Sequence, residues 1–261
     1  MVQKGALVRV DYDAYTEEGE LFDTTTKSVA EEAGKFEENV VYEPLPILIG
    51  AGRVIPGFDE ALEGAEVGKQ VDVTIPADKA FGPHDPSKTE VLSMREFQKQ
   101  DVQPYPGMRF QNAGKTATVI SVSAGRVRVD YNPTFAGKAL RYKFTITEEV
   151  TDVEAKIKAF IEQAYGQGKA DDFVITVDGT TATLQLPDSC KYDQRWFVAK
   201  YRLVSDLRAH AGIKTTRFVE EYLTEEPKAP EAPVAEAGPV ADAPAADAEA
   251  PAADAEAPTN D

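Results

Sequence analysis

The sequence predicts an α+β protein: a strongly curved antiparallel sheet wrapped on a short helix, with further small units attached to it. Three observations point there. Residues 44–82 give an apolar strand, a glycine turn, a short apolar helix and a second strand, then an aromatic followed by glycine. The segment from Gly82 to the next strand at Ala139 is roughly fifty residues long, far more than a hairpin loop needs, and carries its own alternating stretches. After Val150 the pattern changes to helix, two strands, helix and strand, and from Glu225 onward nearly every residue is Ala, Pro, Asp or Glu.

The elements of the first unit follow from local chemistry. Ile47 and Ile49 alternate with Leu48 before Gly50 and Gly52, where a positive φ ends the strand in a turn. Pro56 suits the first turn of a helix, because the N–H it lacks would have no partner there. Phe58, Ala61 and Leu62 form the i, i+3, i+4 stripe of a core-facing helix, which Gly64 ends. Val71, Val73 and Ile75 then alternate with Asp72 and Thr74 as a half-buried strand.

In the inserted unit, residues 90–100 read as an apolar turn and a short helix. Gly107 to Phe110, Ala117 to Val122 and Arg126 to Tyr131 read as strands, with turns at Asn112-Ala113-Gly114 and Ala124-Gly125. In the last unit Val153, Ile157, Phe160, Ile161 and Ala164 sit at helical spacing, and Gly166 or Gly168 stops the helix. Phe173, Ile175 and Val177 lead to a hairpin turn at Asp178-Gly179, and Ala182, Leu184 and Leu186 continue beyond it. Asp188 or Ser189 is the expected cap of a helix carrying Trp196, Phe197, Leu203, Val204 and Leu207; a strand over 217–223 completes an αββαβ order.

Composition removes several function classes. The tail from 225 holds ten acidic residues against one lysine, about half of the formal net charge of −17, and has almost nothing to bury, so it is expected to be disordered. The rest is acidic too, which opposes binding to nucleic acid. No apolar run approaches the roughly 20 residues of a membrane-spanning helix, and MVQKGALVRVDY leads straight into a strand, so a cytoplasmic protein is expected. The single Cys190 reads as structural, and His84 and His210 stand far apart without a ligand cluster, so no metal is expected.

Four segments in order carry a resemblance. Val10-Asp11-Tyr12, Glu18-Gly19 and Phe22-Asp23-Thr24 come first; Val54-Ile55-Pro56-Gly57-Phe58 with Ala61-Leu62 follows; then Asp78 to Gly82; and finally Ala139 to Ile146 with Tyr142. Together they resemble the FKBP-type peptidyl-prolyl isomerases. Asp130 to Lys138 is similar to the exit of the insert-in-flap domain of SlyD-like and archaeal members, departing at Pro133, Thr134 and Phe135.

The resemblance implies an FKBP-like isomerase domain from residues 1–87 and 134–150, an insert-in-flap chaperone domain at 88–133, a C-terminal α+β domain at 151–224 and the tail at 225–261. It implies a proline pocket in which Tyr12, Asp23, Phe58, Phe81 and Tyr142 act on the substrate, while Phe22, Leu45, Val54 and Ile55 bind it. Phe58 would form the floor, Phe81 one wall, and Asp23 the charged group at the rim. Phenylalanine at 81, where tyrosine is common, lacks a hydrogen-bond donor, and weaker macrolide binding is expected.

The implied substrates are unfolded or partly folded polypeptides containing X–Pro bonds. No cofactor is expected, because isomerisation breaks no bond. Met94, Phe97, Val102, Met108 and Phe110 would give the insert a chaperone surface, since so small a unit buries its apolar residues poorly. A second reading, from another class, makes the chain chiefly a holdase with a slow isomerase pocket. A third gives the C-terminal unit other folding factors as partners.

Overall fold

The computed structural model describes residues 1–222. The chain runs through β1 (Leu7–Thr16), β2 (Leu21–Thr24), α1 (Lys27–Glu32), β3 (Leu45–Leu48), α2 (Pro56–Leu62) and β4 (Gln70–Ile75). It continues as β5 (Thr89–Ser93), α3 (Met94–Gln98), β6 (Arg109–Asn112), β7 (Lys115–Ser123) and β8 (Arg126–Asp130), then returns as β9 (Leu140–Glu149). The last elements are α4 (Val153–Tyr165), β10 (Val174–Asp178), β11 (Thr181–Gln185), α5 (Gln194–His210) and β12 (Thr215–Val219).

The first sheet is antiparallel and centred on β1 and β9, which pair along almost their whole length from Val8↔Glu149 to Thr16↔Leu140. The free edge of β9 takes β4. The other edge of β1 is shared, with Leu7 to Val10 pairing β3 and Asp13 to Tyr15 pairing β2. Phe58 and Leu62 of α2 pack into one core with Val8, Val10, Ile47, Ile75, Phe144 and Ile146. Pro56 occupies the start of α2 as expected, and Gly64 takes φ +83° just past its end. Gly57 is required by close approach: a Cβ there would run into the Ile75 side chain and stand 3.2 Å from Cβ of Lys79.

The insert leaves after β4 and forms a separate antiparallel sheet in the order β5-β8-β7-β6. Both hairpin turns use the left-handed pair that two-residue loops favour, Ala113-Gly114 at φ 48° and 76° and Ala124-Gly125 at 48° and 73°. The expectation for residues 90–100 is corrected in its first half: Thr89–Ser93 is an edge strand paired with β8, and only Met94–Gln98 is helix. An edge strand with one weakly buried face alternates too faintly to be read as such.

Where the chain enters and leaves the insert, Asn132 ties the two segments together. Its amide donates to the Asp85 carbonyl at 2.9 Å and to Asp130 at 2.7 Å, and its carbonyl oxygen accepts from the Asp85 N–H at 3.1 Å. Gly137 N–H then donates to the Gly82 carbonyl at 2.8 Å.

The C-terminal elements follow the αββαβ order, with β10 antiparallel and β12 parallel to the central β11. Asp152 caps α4, and Gly166 stops it at φ +132°. The α5 cap is a correction: Asp188 to Cys190 form a single 3-10 turn, and Asp193 caps the helix by accepting from Arg195 N–H at 2.8 Å. The Asp188 carboxylate is taken by Lys191 at 2.7 Å instead. The last strand also starts earlier than expected and ends at Val219. Leu223 and the tail expected from residue 225 lie outside the described residues.

This unit is docked on the first sheet. Leu7 and Leu48 belong to the same buried cluster as Ile157, Phe160, Ile161 and Trp196. Arg9 forks onto Glu162 of α4 at 2.9 and 3.0 Å, and Val150 N–H continues the β1 ladder by donating to the Leu7 carbonyl at 2.7 Å. Leu48→Ala is therefore expected to cost about 2–5 kcal/mol. Denaturant unfolding followed through Trp196 should show the loss; an unmoved Trp196 transition would mean that β3 does not support the C-terminal core.

Candidate active site

A cavity of about 340 Å³ opens beside α2, lined by Tyr12, Asp23, Leu45, Arg53, Val54, Ile55, Phe58 and Tyr142. A larger groove of about 730 Å³ lies between α5 and β12, lined by Lys200, Tyr201, Val204 and Phe218 among others. The smaller cavity is the better candidate, because it gathers buried phenols and apolar walls around one carboxylate.

Each lining side chain has a definite origin. Alternation along β1 puts Tyr12 on the face of Val10 and Ala14, and Tyr142 arrives from β9 directly opposite Ala14. Phe58 projects from the first turn of α2 and is 2% exposed. The Phe58 and Tyr142 rings stack at 4.6 Å, Tyr12 meets Phe58 edge-on at 5.7 Å, and Phe144 supports Phe58 from below at 5.3 Å. The loop between β3 and α2 brings in Arg53, Val54 and Ile55. Gly50 and Gly52 turn it with φ +77° and +63°, and their N–H groups donate to the Asp59 carboxylate at 2.7 and 3.3 Å.

The polar chemistry is concentrated at one point. The Tyr12 hydroxyl donates to Asp23 at 2.7 Å, and Asp23 stands at the exposed rim. Burial pushes the Tyr12 phenol far above its usual pKa, and the Asp23 charge and hydrogen bond push it further. Tyr142 is raised by burial and then by Asp23. Both phenols therefore remain neutral at ordinary pH.

Of the nine residues expected in the pocket, the structure brings Tyr12, Asp23, Leu45, Val54, Ile55, Phe58 and Tyr142 to the cavity wall. Phe22 and Phe81 stand beside it. They are joined through Phe135, whose ring lies 4.4 Å from Phe22 and 5.7 Å from Phe81, and Phe22 in turn meets Tyr142 at 6.2 Å. Phe81 is 39% exposed and does not line the cavity itself.

Two residues were missed by the sequence reading. In the sequence Phe135 shows only as a departure from the exit motif, and its one signal is an aromatic two residues before Gly137. Arg53, between Gly52 and Val54, carries no local signal of its role.

The insert requires a correction. Phe97 is no surface residue: it is 5% exposed and centres the insert core with Ala117, Val119, Val127 and Val129. The short α3 lays it across the sheet, where Phe110 meets it at 4.9 Å. Met94, Val102, Met108 and Phe110 are half-buried around that core. The exposed apolar side chains of the insert are Val91, Tyr105 and Ile120.

Comparison with known proteins agrees with this geometry. A family model described as FKBP-type peptidyl-prolyl cis-trans isomerase matches residues 1–99. Models described as FKBP26, IF domain and FKBP26_C-terminal match residues 90–135 and 153–223. A short-type peptidyl-prolyl cis-trans isomerase of Methanocaldococcus jannaschii is 36% identical over 154 residues, covering 59% of this chain and 95% of that protein. The FKBP-type peptidyl-prolyl cis-trans isomerase SlyD of Escherichia coli K12 is 30% identical over 159 residues, covering 59% of this chain and 74% of its own. The aromatic cavity with its phenol and carboxylate, and the likeness over nearly the whole of the first relative, lead to one conclusion: this chain belongs to the FKBP-type peptidyl-prolyl cis-trans isomerases.

Proposed function

We propose that the cavity around Tyr12, Phe58 and Tyr142 accelerates X–Pro isomerisation in folding polypeptides of the cytoplasm, and that the insert holds those chains beside it. The observation that carries this reading is the Phe58–Tyr142 stack, 4.6 Å apart, at the base of a cavity with Asp23 at its rim.

Rotation about the X–Pro bond faces a barrier of roughly 18–20 kcal/mol, because the twisted amide loses its resonance. The planar amide carries more charge separation than the twisted one, so an apolar wall penalises the ground state more than the transition state. That difference is what catalysis needs. Phe58, Tyr142, Val54 and Ile55 supply the wall. Tyr12, locked by Asp23, fixes the polar edge, so the proline ring enters with its amide directed to the rim.

A second role rests on a separate observation, the exposure of Val91, Tyr105 and Ile120 on the insert. A chain held there presents its prolines to the cavity at a raised local concentration. Deleting residues 88–133 is expected to leave short-peptide rates near normal and to cut catalysed refolding of a proline-limited protein severely. Equal loss on both substrates would remove the capture role.

Truncating Phe58 to alanine confuses site with core, since emptying so buried a ring costs about 3–5 kcal/mol. Phe58→Leu keeps most of the volume. It should lower kcat/KM for a short X–Pro peptide about tenfold while changing stability by less than about 1.5 kcal/mol. NMR exchange rates and denaturant melts measure the two, and unchanged catalysis would place the reaction elsewhere.

The raised phenols also give a pH dependence. In the unfolded chain Tyr12 and Tyr142 ionise near the ordinary value of about 10; in the folded protein they ionise well above it. Their contribution to stability is thus complete below about pH 10 and is lost as pH rises beyond it. An alkaline titration of tyrosinate absorbance should show a fraction of the ten tyrosines ionising only as the ellipticity is lost. Complete ionisation of a still-folded protein near the ordinary value would contradict the burial of this pair.

A further inference from the structure

Arg53 belongs to two places at once. It lines the cavity directly before Val54 and Ile55, and its guanidinium reaches into the C-terminal unit. There Nη1 donates to Oε1 of Gln163 on α4, Nη2 pairs with Oδ1 of Asp206 on α5, and the cation lies 6.0 Å from the Phe160 ring centre. The two charged side chains are 18% and 9% exposed, so solvent screens them little.

The partners are arranged to hold it. Asp206 is a buried carboxylate, and its second oxygen, Oδ2, has no partner among the described residues, so Arg53 is what compensates its charge. A buried charge left without such compensation is strongly unfavourable. Gln163 also donates from Nε2 to the Pro46 carbonyl of β3 at 2.9 Å. One amide side chain therefore grips both the strand that leads into the loop and the arginine near the loop's end. With Asp59 holding Gly50 and Gly52 from the α2 side, the segment 50–55 is fixed at both ends.

We propose that Arg53 is a positioning residue of the isomerase, through which the C-terminal unit sets the Val54–Ile55 rim of the cavity. The third unit is then part of the catalytic apparatus as well as a neighbour of it. Short peptides that touch nothing but the cavity should sense changes at Asp206, which does not line it. The inference rests on the cavity being the isomerase site.

The test uses the full chain and a proline-containing tetrapeptide, with exchange rates measured by NMR per folded molecule, well below the unfolding temperature. Asp206→Asn is expected to lower kcat/KM about three- to thirtyfold and to shift the Val54 and Ile55 methyl resonances. In an Arg53→Ala background the same change should add less than about twofold, because the link is already broken. Arg53→Lys, which keeps the charge but cannot fork onto both partners, should fall between wild type and Arg53→Ala.

Gln163→Ala, at a partly buried neutral position, provides the same test if Asp206→Asn does not fold. Wild-type kcat/KM in both Asp206→Asn and Gln163→Ala would overturn the proposal. So would independent, multiplying effects of the Arg53 and Asp206 changes, and so would a rate increase in Asp206→Asn, which would mark Arg53 as a direct substrate contact set free. A wild-type protein inactive on the peptide would instead overturn the reading of the cavity itself.

Discussion

Alternation along β1 sends Val8, Val10, Tyr12 and Ala14 to one face of the first sheet and Leu7 and Arg9 to the other. The inner face builds the isomerase core and places Tyr12 in the cavity. The outer face receives the C-terminal unit, with Leu7 in its core and Arg9 forked onto Glu162. Both edges of β1 are also occupied, by β9 on one side and by β3 and β2 on the other. A one-residue slip in this strand would exchange the two faces and dismantle site and docking together.

The cavity reflects a compromise between core and surface. Phe58 is as buried as the aliphatic residues around it, whereas Asp23 brings charge to its mouth. Aromatic rings suit this task, because they give large rigid walls whose geometry is fixed by stacked and edge-to-face contacts rather than by many rotatable bonds. The Tyr12–Asp23 bond puts the polar function at the lip, where water still reaches the carboxylate, and leaves the base apolar.

Much of this was legible in the sequence where one local rule acted alone. Pro56 and Gly64 bounded α2, the alternation of Val71 to Ile75 marked β4, and the two alanine–glycine turns marked the hairpins of the insert. The joint order of Tyr12, Asp23, Val54, Ile55, Phe58 and Tyr142 pointed to residues that the fold does assemble. What escaped depended on tertiary partners. Arg53 looks like any loop cation until Asp206, 153 positions away, is seen beside it. Phe97 escaped because the number of apolar residues in so small a unit cannot say which of them the sheet will cover. The α5 cap escaped because Asp188, Ser189 and Asp193 are all good caps in isolation, and only the 3-10 turn at Asp188–Cys190 moves the helix start to Asp193.

The neck of the insert bears on how the chain assembles. Gly82 and Gly137 are hydrogen-bonded neighbours, so the two ends of the inserted segment meet. Closing a floppy loop of roughly fifty residues instead of five costs about 2 kcal/mol more in chain entropy. A folded insert meets that cost with its own sheet, β5 pairing β8 and Asn132 holding the two ends together. Once it has formed, β4 and β9 are joined by what is effectively a short turn, although some sixty residues lie between them in sequence. The insert thereby serves as a splint for the sheet that carries the active site.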